Sequence, residues 1–583
     1  MKHTKSYFTH SPNPLFARTD FRLLDGIWSF CFDPDNIGVR EKWFQNFPSD
    51  HFDIRVPYVY QAKNGLNTKT QEKDIVWYDK TVEIDSIAEQ IDLVILACDY
   101  KLDLYVNGIF LASHEGGYDQ IRINIAPVVK KGKNTITFRV EDSKDKDQIR
   151  GKQFTGARPS QIFYEGVTGV YRSVYLEFLT KDNIRNARLI ASYSDRSLFL
   201  RVDVLNGANS TLKIEVFDGE KLAKVKEYAV KDGAIEDTLS FDNVKPWSDA
   251  CPFLYDVVLT LLDDRGRVFD TVYTYAGFVS YRIERGRFYV NDIDTYIKAV
   301  LFQGYYEDDL YTGRKEDYLE DLAKIKASGF NALRIHQTIE DPLFLYYCDC
   351  SGIYTTLEIP SPFEMSDRLR ERYFAEVDRI VSDNYHHPSV YALILFNESW
   401  GINGILHDPE MQEFVVRCYE RYKKMCPHWL ICSNDGWEHT KSDICSIHNY
   451  EFDSEAFISF TSEQYDTLMK TKNFYANAAN YLAFAQNYQY ENQPIFLSEF
   501  AGYGLSVPKG DSDQFFYGAA KNTEDFIDRI QKMYTAIRKF PFIRGICYTQ
   551  YNDTYQETNG IVTMQRQFKI PPGILKALND VLR

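Results

Sequence analysis

From about residue 288 onward, short apolar runs alternate with amphipathic helical stretches, and this alternation limits the possible folds more than any other feature of the chain. The runs predicted as strands are 296–302, 331–335, 353–357, 390–396, 430–433, 444–448, 495–498 and 545–548. Helical segments such as KEDYLEDLAKIKASG lie between them. There Tyr318, Leu322 and Ile325 fall on one face, and Gly329 is placed to end the helix. Eight strands alternating with helices predict a (β/α)8 TIM barrel. The alternative, an open doubly wound sheet, usually shows a Gly-rich phosphate loop after its first strand, and the sequence has none.

The preceding residues read differently. IDLVILACDYKLDLYVNGIFLASHEGG and GKNTITFRVED are short strands and turns, and Asn107-Gly108 between two apolar runs is a strong hairpin signal. This predicts an all-β jelly-roll sandwich over residues 1–178. RSLFLRVDVLN, STLKIEVFD and FLYDVVLTLLDDRGRVFDTVYTYAGF continue the pattern and predict an immunoglobulin-like β-sandwich over 179–276. The barrel then occupies 277–583. A chain of 583 residues has room for these three domains.

Composition narrows the functional classes. The formal charge of −16 opposes binding to phosphate backbones, so no nucleic-acid partner is expected. No run of about 18 apolar residues predicts a membrane span. The N-terminus lacks an apolar signal core, so the expected location is cytoplasmic, or periplasmic if a leader has been removed. The ten Cys are scattered without metal-ligand spacing and read as buried free thiols, which suits a reducing compartment. His386-His387-Pro388 is not read as a metal site, because adjacent side chains point in different directions. No cofactor and no metal are expected. Acidic clusters could bind a structural cation, but no ligand set is indicated. Aromatic residues make up 15% of the chain, mostly as material for β-rich cores and in part as sugar-stacking surfaces.

Barrel active sites lie at the C-terminal ends of the strands. The polar residues there are Arg334 and His336, Glu358, Asn397-Glu398-Ser399-Trp400, Asn434-Asp435, His448-Asn449-Tyr450, Glu499, and Tyr548 with Gln550. Two glutamates on different strand ends suit glycoside hydrolysis, in which one carboxyl protonates the leaving oxygen and the other attacks the anomeric carbon or activates water. Residue spacing leaves Glu358 an equal rival to Glu398 and Glu499; its bland role is an ion pair with Arg334.

The stretch His387 to Trp400 (HPSVYALILFNESW) resembles the acid/base motif of glycoside hydrolase family 2, which includes β-galactosidases, β-glucuronidases and β-mannosidases. Leu497 to Gly502 (LSEFAG) resembles its nucleophile motif. DGIWSF from Asp25, YVNG from Tyr105, HEGGY from His114, GVTGVYRSVYL from Gly166 and the Pro246-Trp247-Ser248 stretch resemble its two β domains, so the likeness runs along the whole chain.

The resemblance implies a retaining exo-β-glycosidase with Glu398 as acid/base and Glu499 as nucleophile. Asn397 is then expected to bind the sugar 2-hydroxyl. Arg334 and Tyr450 are expected to hold Glu499 anionic, and His336 and His448 to donate to sugar hydroxyls. Asp435, Trp437, Trp400 and Tyr548 are candidates for lining the sugar subsite. Family 2 glucuronidases carry an Asn and a Lys before a Gly-Ile segment; here Glu557-Thr558-Asn559-Gly560-Ile561 lacks the Lys, and Glu557 would repel a uronate. The expected substrate is a neutral β-linked sugar on a short oligosaccharide or glycoside, first a β-galactoside. The alternatives are a β-uronidase, an α-L-arabinopyranosidase, a transglycosidase and a non-catalytic carbohydrate-binding protein. Assembly into a homo-oligomer is left open.

Overall fold

The computed structural model describes residues 6–68, 74–156, 158–505 and 514–582. The predicted alternation is a barrel of eight parallel strands: β1 (Ile297–Phe302), β2 (Ala332–Ile335), β3 (Tyr354–Glu358), β4 (Val390–Ile394), β5 (Leu430–Cys432), β6 (Cys445–Asn449), β7 (Ile495–Ala501) and β8 (Ile543–Thr549). Neighbours pair in the order β5-β4-β3-β2-β1-β8-β7-β6, so the sheet curls almost closed. Seven helices form the outer layer: α1 (Lys315–Ala327), α2 (Pro342–Ser351), α3 (Asp367–Asp383), α4 (Pro409–Met425), α5 (Ser454–Thr471), α6 (Thr523–Ile537) and α7 (Pro572–Asp580). Asp341, Asp408, Asp453 and Asn522 cap α2, α4, α5 and α6 by accepting from backbone N–H groups of the first turn. The apolar face predicted for α1 is the buried one. A three-stranded sheet over residues 281–294 closes the floor of the barrel, where Phe288 meets Tyr391 and Phe496.

Ahead of the barrel stand two β-sandwiches. The first pairs a six-stranded with a four-stranded antiparallel sheet, and its Asn107-Gly108 turn has positive φ at both residues, as a tight hairpin requires. The second packs a three-stranded against a four-stranded sheet. Trp247 anchors the second sandwich to the barrel. Its ring is fully buried against Tyr354, and its indole N–H donates to the Asp349 carbonyl at 2.8 Å. Nearby, the Asp349 carboxylate takes His387 at 2.6 Å and the Tyr275 hydroxyl at 2.7 Å, which leaves the His-His-Pro segment in a structural role. All ten cysteines are free and nine are buried, Cys251 being exposed. Among the described residues, no helix is long and apolar enough to cross a membrane.

Candidate active site

The strand ends converge on Arg334, which leaves β2 fully enclosed at 2% exposure. Its guanidinium meets three carboxylates and an amide oxygen. Nε donates to Glu358 at 2.8 Å, Nη1 to Glu499 at 2.6 Å and Asp435 at 2.7 Å, and Nη2 to the Asn397 carbonyl oxygen at 2.7 Å. A planar fork of N–H donors can bind several carboxylates at once, which a lysine cannot do. Glu358 also accepts from Gln337 Nε2 at 2.7 Å and lies 2.9 Å from His336 Nδ1, with no exposure at all. Of the three glutamates, Glu358 is enclosed by its donors, while Glu398 and Glu499 face each other. One carboxyl oxygen of each lies within 4.8 Å of the other.

Backbone shape brings those two together. Glu398 and Ser399 both take left-handed φ, 50° and 60°, a conformation costing non-glycine residues about 1–3 kcal/mol each. The turn is held from β5: Glu398 N–H donates to the Asp435 carbonyl at 2.9 Å, and Ser399 N–H to Asn434 Oδ1 at 3.0 Å. On β7 the pairing with β8 skips from Leu497 to Phe500, while Glu499 stays paired with His448 of β6.

Glu499 also accepts from the Tyr450 hydroxyl. Burial would push this carboxyl up, but the charges of His448 and Arg334, helped by the Tyr450 hydroxyl, outweigh it and bring its pKa down to about 2. Glu499 is therefore held as an anion. His336 shows the opposite balance. Burial pushes it down despite Glu358, so it stays a neutral imidazole.

His448 lies between the two glutamates. Its Nδ1 is 2.7 Å from Glu398 Oε1, and its Nε2 is 2.9 Å from Asp435 Oδ2 and 3.5 Å from Glu499 Oε1. Burial opposes its charge, but Glu499, Asp435 and Glu398 together raise its pKa to about 10. As an imidazolium it donates from both nitrogens to carboxylates. This corrects the expectation of a sugar ligand, since no donor is left for a hydroxyl. Glu398, His448 and Glu499 each bring one possible ligand atom within 4.8 Å of the others.

Two further expectations change. Asp435 does not line the subsite: it is 2% exposed and lies beneath His448, pinned by Arg334 and driven well below the usual carboxylate range. Tyr548 points the other way. Side chains alternate along β8, so Cys547 faces the barrel interior and Thr549 reaches the Tyr450 hydroxyl at 3.3 Å. Tyr548 between them is fully buried and packs edge-on against Phe500, which meets Tyr534 of α6. Trp437 stays at the site, edge-on to His448 at 5.6 Å, with one face covered by Tyr481 at 4.2 Å.

The structure adds residues that the sequence did not single out. Tyr517 stacks on Tyr450. Phe163 of the first sandwich stacks on Trp400 at 6.0 Å and meets Phe363 edge-on at 5.7 Å, forming an aromatic rim. The barrel holds this excursion through Gln556, whose amide donates to the carbonyls of Gln161 and Phe163 at 2.8 and 2.6 Å. Upstream, Gly151 donates its N–H to the Ser361 carbonyl at 3.0 Å, and any Cβ there would meet the Gln337 carbonyl oxygen at 2.1 Å. That close approach carries Lys152, 4% exposed, to within 3.5 Å of Glu557.

Residues 21–180 match the family model described as "Glycosyl hydrolases family 2, sugar binding domain", and residues 183–278 match "Glycosyl hydrolases family 2". The two β-sandwich domains therefore match glycoside hydrolase family 2. A β-galactosidase from Alteromonas mediterranea is 23% identical over 434 residues, covering 66% of this chain and 40% of that protein. A β-glucuronidase from Paenibacillus borealis is 25% identical over 415 residues, covering 65% of this chain and 68% of that protein. The solved β-glucuronidase from Ruminococcus gnavus in complex with D-glucaro 1,5-lactone superposes with a TM-score of 0.79 over 96% of this chain and 98% of that one, at 17% identity, a likeness of fold.

Proposed function

We propose that this chain is a retaining family 2 exo-β-glycosidase acting on neutral terminal sugars, with Glu499 as nucleophile and Glu398 as acid/base. The observation that carries the reading is the pair itself: glutamates after β4 and on β7 with carboxyl oxygens within 4.8 Å, near the ~5–5.5 Å separation of retaining enzymes. In the first step a Glu499 oxygen bonds to the anomeric carbon as the glycosidic bond breaks, and Glu398 gives its proton to the departing oxygen. In the second, water attacks that carbon, Glu398 takes the water's proton and the Glu499 ester bond breaks. Two inversions give net retention. Arg334 and Tyr450 keep Glu499 charged and oriented for attack. With its carbonyl oxygen held by Arg334, Asn397 presents its NH2 group to the sugar 2-hydroxyl.

The charge around the site supports a neutral sugar. Arg334, His448 and Lys152 are set against Glu358, Asp435, Glu398, Glu499 and Glu557, so a uronate would enter a net negative surround. A β-galactoside is the first substrate to assay, given the galactosidase name of one relative. A β-uronide is the second reading, favoured by Lys152 beside Glu557 and by the glucuronidase names of the Paenibacillus borealis and Ruminococcus gnavus proteins. A panel of nitrophenyl glycosides tests both: β-galactoside, β-glucuronide, β-galacturonide, β-mannoside, β-glucoside and α-L-arabinopyranoside. A neutral glycoside turned over fastest supports the reading. Turnover of the uronides alone would replace it with the second, and turnover of none would remove it.

A further inference from the structure

His448 has the surroundings of a residue that works on Glu398 rather than on substrate. Gly436 is the first sign. Its φ is +107°, and a Cβ there would meet His448 Nδ1 at 2.8 Å, so the turn after β5 leaves room for the imidazole and for nothing else. Trp437 closes one edge of the ring. Asp435 takes Nε2 from below and is itself fixed by Arg334. The one direction left to the ring sends Nδ1–H to Glu398 at 2.7 Å. The chain Arg334, Asp435, His448, Glu398 is therefore a fixed sequence of alternating charge from the buried strand ends to the carboxyl that moves the proton.

The groups facing His448 are Glu398 from the end of β4, Asp435 after β5, Glu499 on β7 and Arg334 on β2, with His439 nearby. Those facing Glu398 are His448, Glu499, and the phenols Tyr450 and Tyr517. His448 is thus the one cation in direct contact with Glu398 among the described residues. A cation hydrogen-bonded to an acid stabilises the anion formed when its proton leaves. The effect is greatest where proton transfer is far advanced in the transition state, as it is for a poor leaving group.

We propose that His448 is a positioning residue for the acid/base: held by Asp435, it donates to Glu398 and stabilises the carboxylate that Glu398 becomes on protonating the leaving group. The same contact keeps Glu398 ready as the base of the second step. No proton leaves His448 in either step. This inference rests on the glycosidase reading above.

The test uses the full chain and the aryl glycoside identified by the panel, with His448→Gln and Asp435→Asn as variants. In His448→Gln the alkaline limb of kcat/KM is expected to move up by about one pH unit, because the cation that favours the ionised acid is gone. The phenyl glycoside should lose roughly tenfold more kcat/KM than the dinitrophenyl glycoside. Asp435→Asn should shift the limb in the same direction, and the double variant should shift it no further than His448→Gln alone. An unmoved limb with equal losses across leaving groups would make His448 merely structural and overturn the proposal. If neither variant folds, 15N NMR of histidine-labelled wild type decides: a histidine still doubly protonated at pH 8.5 supports the proposal, and all 11 neutral overturns it. Failure of the glycosidase reading is distinct, because wild type would then turn over no glycoside in the panel.

Discussion

Tyr450 lies flat against Tyr517, ring centroids 3.5 Å apart and planes 5° from parallel, and donates its hydroxyl to Glu499. The stack fixes where the phenol points, so Glu499, the proposed nucleophile, is oriented by a side chain held in place. Tyr450→Phe keeps the stack and loses the donor. A hydrogen bond to a charged group contributes about 1.5–3 kcal/mol, so kcat should fall roughly 10–100-fold with little change in KM. Steady-state kinetics on the preferred aryl glycoside check this.

The two glutamates should fail differently. Glu499→Ala should abolish turnover, and added azide should restore a glycosyl azide of inverted configuration. Glu398→Ala should spare the first step for substrates that need no proton, so dinitrophenyl glycosides should suffer least. Product NMR and a leaving-group series separate the two results; normal turnover by Glu499→Ala would remove it as the nucleophile.

Arg334→Met should destabilise the fold as well as the chemistry. It strands Glu358, Asp435 and Glu499 without their shared cation, and breaking a buried ion pair from one side costs about 3–5 kcal/mol. Denaturant unfolding should show a loss of that size, larger than that of Glu358→Gln, which keeps a polar partner for Arg334.

Stability should depend on pH through the same cluster. Glu499 has its pKa lowered from 4.5 to about 2, so its contribution is present above about pH 4.5 and is lost as pH falls towards 2. His448 has its pKa raised from 6.5 to about 10, so its contribution is full below about pH 6.5 and is lost as pH rises towards 10. The Tm gap between wild type and His448→Gln should therefore be widest near pH 6 and close progressively by pH 10. A gap that widens with pH would reverse the assigned charge.

Much of this was legible before any coordinates. The strand and helix periods after residue 288 are local signals, and the predicted strands lie within two residues of the observed ones at both ends, except that β7 runs three residues further, to Ala501. Strand ends that follow from those periods made Glu358, Glu398 and Glu499 equal candidates, and the resemblance to family 2 motifs singled out the last two. What stayed hidden depends on direction or on distant partners. Tyr548 was misplaced because the in-out phase of a strand buried on both faces leaves no polar alternation to read. His448 was taken as a sugar donor because nothing in the sequence shows that Asp435, 13 residues away, lies at one nitrogen and Glu398, 50 residues away, at the other. Lys152 and Phe163 reach the barrel from another domain, held by backbone carbonyls that have no sequence signature.

The central claim is that Glu398 and Glu499 act by double displacement. The most direct test follows the first-formed sugar anomer by 1H NMR during hydrolysis of the preferred aryl β-glycoside, before mutarotation scrambles it. The account predicts the β-anomer. Initial release of the α-anomer would mean a single displacement by water and would contradict it.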